Sequence, residues 1–92
     1  MSVRYSARAL AKLDAIHDYL AARNASAAGE VMKSIGQSVK SLQKFPLLGR
    51  PTDEKDVLAL IEPEYGYRVF YRVYGRVVIV IRILHPRQDT SR

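Results

Sequence analysis

Four arginines and one histidine lie in or just after two strand-like segments near the C-terminus, where they could bind an anion. They are Arg68, Arg72, Arg82, His85 and Arg87. An arginine presents a planar fork of donors that fits phosphate or carboxylate, and a histidine can exchange a proton near neutral pH. Together they could hold a phosphodiester and protonate its leaving oxygen without a metal ion. The same arginines could instead bind acidic side chains of a protein partner, or simply face solvent.

The composition limits the kinds of site that this chain can build. Its 92 residues form one domain, of a size that buries only about 60–65% of the surface exposed by the unfolded chain. Cysteine is absent and the two histidines, His17 and His85, have no ligand spacing, so we expect no disulfide framework and no metal site. The sequence contains no glycine-rich phosphate loop and no nucleophile motif, so we expect no cofactor.

Charge is distributed unevenly along the chain, whose net charge is +6. Residues 50–64 contain two basic and five acidic side chains, whereas residues 65–92 contain six arginines and a single acid, Asp89. A local basic region of this kind suits nucleic acid or an acidic protein partner. The longest apolar run is too short to cross a membrane, and the first five residues show no hydrophobic signal core. We therefore expect a cytoplasmic protein.

A short strand at residues 3–5 leads into a helix capped by Ser6, and Ser26 can cap a second helix that ends before Pro46. The apolar positions of the first helix are Leu10, Leu13, Ile16 and Leu20. Those of the second helix are Val31, Ile35, Val39, Leu42 and Phe45. The short connection between them predicts an antiparallel helical hairpin. Residues 47–56 follow as an exposed loop.

The C-terminal half predicts a small antiparallel sheet. A strand at residues 57–61 is followed by a hairpin whose strands span residues 67–74 and 77–84, with Gly75 at the turn. The last strand is apolar on both faces except for Arg82, which is typical of a central strand. The element order is β-α-α-β-β-β. We therefore predict an α+β fold, in which the antiparallel helical hairpin packs on a small antiparallel sheet.

The register of the hairpin decides which cations come together. Alternation along its first strand places four side chains on one face, namely Arg68, Phe70, Arg72 and Tyr74. If the helices cover the other face, this face is open. A two-residue turn would place Arg68 opposite Ile83 and on one face with His85. A three-residue turn would place Arg68 opposite Arg82, with an anion needed between the two guanidinium groups.

Three motifs in order along the chain resemble the RelE/ParE superfamily, the toxin halves of type II toxin–antitoxin modules. The motifs are Phe45-Pro46-Leu47-Leu48-Gly49-Arg50-Pro51, then Tyr67-Arg68-Val69-Phe70-Tyr71-Arg72-Val73, then Ile83-Leu84-His85-Pro86-Arg87-Gln88. In this superfamily the RelE branch cleaves messenger RNA in the ribosomal A site without metal, and the ParE branch poisons DNA gyrase. The resemblance implies growth arrest and plasmid stabilisation by a toxin that a cognate antitoxin neutralises in a hetero-oligomer.

The resemblance to RelE-type members implies which residues would act on RNA. The arginine of their Tyr-Arg strand motif corresponds to Arg68, and the arginine after their last strand corresponds to Arg87. In one subset a histidine at the end of the last strand takes part in catalysis, and His85 matches it. A metal-independent nuclease would therefore use these three residues.

The proton-transfer groups of that RelE-type site are mostly missing from this chain. Two lysines of the preceding strand fall on Ala59 and Ile61, and the C-terminal catalytic tyrosine has no counterpart. A loop glutamate of the histidine-containing subset falls near Thr52, with Asp53 and Glu54 close by. Loss of a general acid or base typically lowers a rate by a factor of about 10²–10⁴. The depleted set favours the ParE-like branch.

Three functions follow as alternatives. In the first, a ParE-like toxin inhibits DNA gyrase by binding it, and the residues expected to bind the target or the antitoxin are Arg68, Phe70, Arg72, Arg82 and Arg87. In the second, a RelE-like nuclease cuts messenger RNA on the ribosome. In the third, the domain mainly forms a complex or a DNA-bound repressor with its antitoxin. Each predicts an acidic, partly apolar antitoxin segment along the helices and the sheet.

Overall fold

A computed structural model describes residues 1–86, and its elements follow the predicted order with one addition. The elements are β1 (Ser2–Tyr5), α1 (Ala7–Ala21), α2 (Ala25–Ser41), β2 (Arg50–Pro51), β3 (Leu58–Ile61), β4 (Arg68–Tyr74) and β5 (Val77–Leu84). The addition is β2, a two-residue strand inside the predicted loop. Neither of these helices is long and apolar enough to cross a membrane. The predicted α+β class is confirmed.

Side chains cap both helices, although one cap differs from the prediction. The Ser6 hydroxyl accepts a hydrogen bond from the N–H of Ala9 at 3.0 Å, as expected. The second cap is Asn24 and not Ser26, because the Asn24 side-chain oxygen accepts from the N–H of Ala27 at 3.1 Å. An asparagine amide caps a helix as well as a serine hydroxyl does, so α2 starts earlier than the sequence pattern predicted.

The five strands form one sheet in the order β1-β5-β4-β3-β2. The pairs β5–β4, β4–β3 and β3–β2 are antiparallel, whereas β1 pairs with β5 in parallel, from Ser2 opposite Val77 to Tyr5 opposite Val80. The sheet is therefore mixed rather than wholly antiparallel. Parallel pairing needs a long crossover connection, and the helices between β1 and the rest of the sheet supply it. The prediction that the last strand is central is confirmed, since β5 lies between β1 and β4.

The core lies between the helical hairpin and one face of the sheet, called the helix face here. Its buried side chains are Ala9, Ile16, Val31, Ile35, Val39, Leu42, Tyr67, Val69, Tyr71, Val78, Val80 and Ile83. Among the predicted apolar stripes, Leu13 and Leu20 are partly buried against this core, whereas Leu10 is 49% exposed and Phe45 is 60% exposed. On α1 the buried line passes through Ala9 and Ile16, one position away from Leu10. Phe45 lies beyond the end of α2, where helical spacing no longer sets its direction.

A β-bulge interrupts the β4–β5 hairpin. Tyr71 pairs with Val80, but the next pair along the ladder is Phe70 with Arg82. Ile81 is therefore the extra residue on β5. Because successive side chains of a strand point to opposite faces, one inserted residue reverses the facing of everything beyond it.

The bulge changes which residue lies opposite Arg68. Next to Gly75 the pairing matches a two-residue turn, but beyond the bulge Arg68 lies opposite Leu84. Neither predicted partner, Ile83 or Arg82, is correct, because both alternatives assumed uninterrupted pairing. The same shift turns Arg82 away from the helices and places Ile83 in the core.

A buried carboxylate closes the turn between β3 and β4. Glu62 is fully buried, and its oxygens accept hydrogen bonds from the Ser34 hydroxyl at 2.5 Å and from the N–H groups of Glu64 and Tyr65 at 2.6 and 2.8 Å. Burial alone would raise the pKa of Glu62, but these hydrogen bonds outweigh it and hold the pKa below its ordinary value. The carboxylate thus ties α2 to the turn as an anion.

Candidate functional site

The face of the sheet turned away from the helices, called the open face here, collects four of the five residues predicted to bind a target or antitoxin. Alternation along β4 places Arg68, Phe70 and Arg72 on this face. The bulge adds Arg82, which lies opposite Phe70 on β5. The fifth predicted residue, Arg87, lies outside the described residues.

The ring of Phe70 lies at the centre of the open face and orders two of the arginines. Phe70 is only 7% exposed. The guanidinium carbon of Arg82 lies 4.5 Å from the ring centroid, and that of Arg68 lies 5.6 Å from it. A guanidinium within about 6 Å of an aromatic ring is attracted to the negative face of the ring. The two charges are therefore held beside an apolar surface.

One carboxylate bridges two of the open-face arginines. The Nη2 atom of Arg72 lies 3.2 Å from Oε2 of Glu54, and the Nη2 atom of Arg82 lies 3.3 Å from Oε1. The acidic loop before β3 therefore folds over the basic hairpin, which the opposite charges of residues 50–64 and 65–92 make favourable. Part of the positive charge expected from the sequence is neutralised inside the molecule.

A short turn presents Glu54 to the arginines. The N–H of Thr52 donates to the carbonyl of Val57 at 3.1 Å, and the N–H of Val57 donates to the carbonyl of Glu54 at 3.1 Å. The Thr52 hydroxyl lies 2.9 Å from the Val57 carbonyl and accepts from the N–H of Glu54 at 3.1 Å. Asp56 has a φ of 63°, in the left-handed region, which lets the chain reverse. The turn is therefore held by its own hydrogen bonds.

The glycine of the Phe-Pro-Leu-Leu-Gly-Arg-Pro motif fixes the base of this loop. The N–H of Gly49 donates to the hydroxyl of the buried Tyr71 at 2.8 Å. A Cβ at Gly49 would lie 2.8 Å from that hydroxyl oxygen and 2.9 Å from the carbonyl oxygen of Ala59. The next residue, Arg50, pairs with Ala59 to form β2. Only glycine lets the loop approach the sheet this closely.

A cavity of about 570 Å³ opens on this face. It is lined by Arg50, Pro51, Thr52, Asp53, Glu54, Ala59, Ile61, Arg68, Phe70, Arg82 and Leu84. Its apolar members come from four neighbouring strands, β2 to β5, and Ile61 is 59% exposed. The cavity therefore combines an apolar floor with guanidinium groups and carboxylates at its sides.

Two positions on this floor are those that the resemblance drawn from the sequence matches to lysines of RelE-type members. They are Ala59 and Ile61 of β3, and both line the cavity beside Arg68. Neither side chain can transfer a proton or carry charge. The floor at these two positions can bury apolar surface of a partner, which is the chemistry that an interface core uses.

His85 lies on the helix side of the sheet. Its ring packs edge to face on Tyr67, with centroids 5.2 Å apart and an interplanar angle of 84°, and Tyr67 belongs to the core. The bulge explains this position, since it turns Ile83, two residues earlier, towards the helices. The guanidinium of Arg68 lies over Phe70 on the open face. The structure thus divides these two residues of the predicted nuclease set between the faces, and their roles stay predictions.

Sequence reasoning missed the group that organises the arginines. The sequence pattern marks Glu54 only as a neighbour of Thr52 in the loop, and it indicates neither the ion pairs of Glu54 nor the hydrogen bonds of Thr52. The available signal was the acidic composition of residues 50–64 next to six arginines in residues 65–92.

Within residues 1–86, no group of three His, Asp or Glu side chains comes together in a way that could hold a metal ion.

Comparison with known proteins agrees with the resemblance drawn from the motifs. The sequence model of the family described as "ParE toxin of type II toxin-antitoxin system, parDE" matches residues 3–90. The "Putative toxin Y4kP" of Sinorhizobium fredii (strain NBRC 101917 / NGR234) is 33% identical over 87 residues, which cover 95% of this chain and 90% of that protein.

Two solved structures share the fold. The chromosomal ParDE TA system from P. aeruginosa contains a chain that matches with a TM-score of 0.82 and 28% identity, over 92% of this chain and 95% of that one. The intact E. coli RelBE toxin–antitoxin complex matches with a TM-score of 0.60 and 17% identity, over 89% and 92% of the two chains, a likeness of fold alone. The resemblance to the superfamily is confirmed, with its ParE-like branch. From the family match over nearly its whole length, this chain belongs to the ParE toxin family of type II toxin–antitoxin systems.

Proposed function

We propose that this toxin acts by binding a protein target, DNA gyrase, through its open face, and that its cognate antitoxin neutralises it. The observation that carries the proposal is the open face itself. Guanidinium groups of Arg68 and Arg82 flank an apolar floor. Ala59 and Ile61 line that floor at the positions that the sequence resemblance matches to lysines of RelE-type members. Arginines around aromatic and aliphatic side chains are the composition of a protein-binding surface.

The bridging carboxylate supports a protein partner over a phosphodiester. Glu54 already occupies the space between Arg72 and Arg82. An RNA phosphate brought to this place would have to displace Glu54, as any other anion would, and it offers nothing to cover the apolar floor, whereas a protein partner can pair with the arginines and also bury Ile61, Phe70 and Leu84. The guanidinium groups therefore serve recognition rather than charge stabilisation of a cleaved phosphodiester.

An antitoxin partner is supported by the family and by the chain's own charge. The two matching structures are described as a ParDE system and as a RelBE toxin–antitoxin complex. With a net charge of +6 and a small core, this chain gains from an acidic segment that also covers apolar surface. Such a segment binds in the cytoplasm along the helical hairpin and the sheet, as a helix or an added strand, and forms a hetero-oligomer.

The test is a supercoiling assay with purified gyrase and purified toxin. The wild-type chain is expected to inhibit supercoiling, and Arg68→Gln or Arg82→Gln is expected to raise the half-inhibitory concentration by about tenfold or more, as loss of an interface arginine does. Arg76→Gln is the matched control, because it removes the same charge from a residue that is exposed at the hairpin turn. Absence of inhibition, together with absence of gyrase in a pull-down, would refute the gyrase proposal.

The two alternatives are separated by cell experiments. A ribosome-dependent nuclease predicts codon-positioned cuts in primer extension on translated messenger RNA, and loss of toxicity when both Arg68 and His85 are replaced by alanine. A domain that only forms a complex or a repressor predicts normal growth when the toxin is expressed without its antitoxin. The gyrase proposal predicts growth arrest with intact message.

A further inference from the structure

The open face contains an ion-pair arrangement that the proposed function does not explain. A single carboxylate, Glu54, bridges Arg72 and Arg82, at 3.2 and 3.3 Å. The two arginine side chains are 30% and 27% exposed, and Glu54 is 48% exposed. The arginines are therefore half-buried and fixed on the sheet, whereas the acid reaches them from outside, from a loop.

The loop can lose this contact without losing its shape. Its turn is closed by the hydrogen bonds among Thr52, Glu54 and Val57, which use backbone groups and the Thr52 hydroxyl and not the Glu54 carboxylate. The Arg82 guanidinium also keeps its contact with the Phe70 ring, 4.5 Å away, when the carboxylate leaves. The loop and Arg82 are thus each held by other interactions.

The ion pair itself is weak enough to exchange. Exposed pairs contribute little to stability and are screened by salt. A carboxylate of a partner that also covers the apolar floor would form the same ion pairs with the two arginines, but with solvent excluded from them. Exclusion of water lowers the local dielectric constant and strengthens the pairs. The cavity beside this site, with Phe70, Ile61 and Leu84 in its lining, offers that cover.

We propose that Glu54 occupies a binding position for a carboxylate of the partner, and that an Asp or Glu of the antitoxin displaces it from Arg72 and Arg82 when the complex forms. This inference rests on the proposed function, since it assumes that an acidic antitoxin segment docks on the open face. The chain itself shows which ligand chemistry fits, because the group already bound there is a carboxylate. Glu54 then acts as an internal competitor that lowers the affinity for the antitoxin.

Removal of the Glu54 charge is expected to increase the affinity of the toxin for its antitoxin. Glu54→Gln keeps the size of the side chain and removes its charge, so the antitoxin carboxylate no longer has to displace an anion. The expected effect is about a threefold to tenfold tighter complex, and tenfold corresponds to about 1.4 kcal/mol. If Glu54 instead served to align the arginines for the partner, the same substitution would weaken the complex.

The experiment is isothermal titration calorimetry of the purified cognate antitoxin into wild-type toxin, Glu54→Gln and Asp53→Asn. Asp53→Asn is the matched control. Asp53 lines the same cavity and its substitution changes the net charge equally, but it forms no ion pair with another of residues 1–86. It therefore reports the general effect of removing one negative charge. Arg82→Gln, alone and combined with Glu54→Gln, tests whether the gain depends on the arginine.

Each outcome decides the inference. A tighter complex for Glu54→Gln than for Asp53→Asn, with most of the difference lost in the Arg82→Gln background, supports it. Equal affinities of Glu54→Gln and Asp53→Asn, or a weaker complex for Glu54→Gln, overturn it while leaving the toxin–antitoxin function intact. Absence of antitoxin binding by the wild-type chain overturns the neutralisation proposal itself and this inference with it. Thermal unfolding of each variant, expected within a few degrees of wild type, checks that the fold is retained.

Discussion

Replacement of Gly49 by alanine is expected to destabilise this domain more than any other single added methyl group on a described glycine. The new Cβ would lie 2.8 Å from the Tyr71 hydroxyl oxygen and 2.9 Å from the carbonyl oxygen of Ala59. Tyr71 is fully buried and Ala59 belongs to β3, so neither can move aside cheaply. The loop must therefore lift from the sheet, which also stretches the 2.8 Å hydrogen bond from Gly49 to Tyr71.

The size of the loss follows from these two effects. Overpacking of a filled site costs about 1–3 kcal/mol, and a lost hydrogen bond adds about 1 kcal/mol. Domains of this size have an unfolding free energy of about 5–14 kcal/mol. The variant is expected to lose about 2–4 kcal/mol, which lowers Tm by roughly 8–32 °C at about 4–8 °C per kcal/mol. Thermal and urea unfolding followed by circular dichroism measure both quantities.

Two further variants make this reasoning refutable. Gly36→Ala adds the same methyl group inside α2, where a Cβ would meet nothing within 4 Å, and it is expected to raise stability by about 0.5–1 kcal/mol. Tyr71→Phe removes one of the two close oxygens, so Gly49→Ala should cost less in that background than in the wild type. A Tm for Gly49→Ala within 2 °C or so of wild type would show that the loop does not depend on this close approach.

Three other predictions concern charge, burial and backbone. The pKa of Glu62 lies below its ordinary value of 4.5, so the contribution of its carboxylate to stability is full above pH 4.5 and is lost as the pH falls through the lowered pKa. Urea unfolding between about pH 3 and 7 should show this loss in the wild type, and the free energy of unfolding of Glu62→Gln should depend less on pH. Burial raises the pKa of the phenols of Tyr67 and Tyr71 above 10.0, so their contribution to stability is full below pH 10 and is lost as the pH rises through the raised pKa values. Alkaline unfolding, followed by tyrosinate absorbance, should therefore begin at a higher pH in Tyr67→Phe than in the wild type. Asp56→Gly, at a φ of 63°, should keep or raise stability by up to about 1 kcal/mol, whereas Asp56→Val should lower it by about 1–2 kcal/mol in urea unfolding.

The element order was predictable because it depends on local patterns. Ser6 capped the first helix as expected, and the strand alternation placed Arg68, Phe70 and Arg72 on one face. The bulge was not predictable, because Ile81 is one aliphatic residue in a run of five, and the charge of the next residue, Arg82, does not by itself mark which position is left unpaired. The facing of His85, which depends on that bulge, therefore could not be predicted either.

Pairings that depend on the whole topology were also out of reach. Which way β1 runs beside β5 is decided by the path of the helices between them and not by the residues of Ser2–Tyr5. The same holds for Glu54, whose partners lie 18 and 28 residues away in the sequence. Charge composition indicated that the acidic and basic segments attract each other, but only the fold determines which carboxylate meets which arginine.

The parallel pairing of β1 imposes an order on folding. Its partner residues on β5 are 75 positions away, so β1 cannot take its place until Val77 and Val80 have been synthesised. Until then one side of β5, a strand with a run of five aliphatic residues, offers unpaired backbone groups to any other extended chain. The first four-residue strand is therefore the protective edge of the sheet. Deletion of β1 is therefore expected to cause aggregation of the domain, although it leaves every residue of the open face in place.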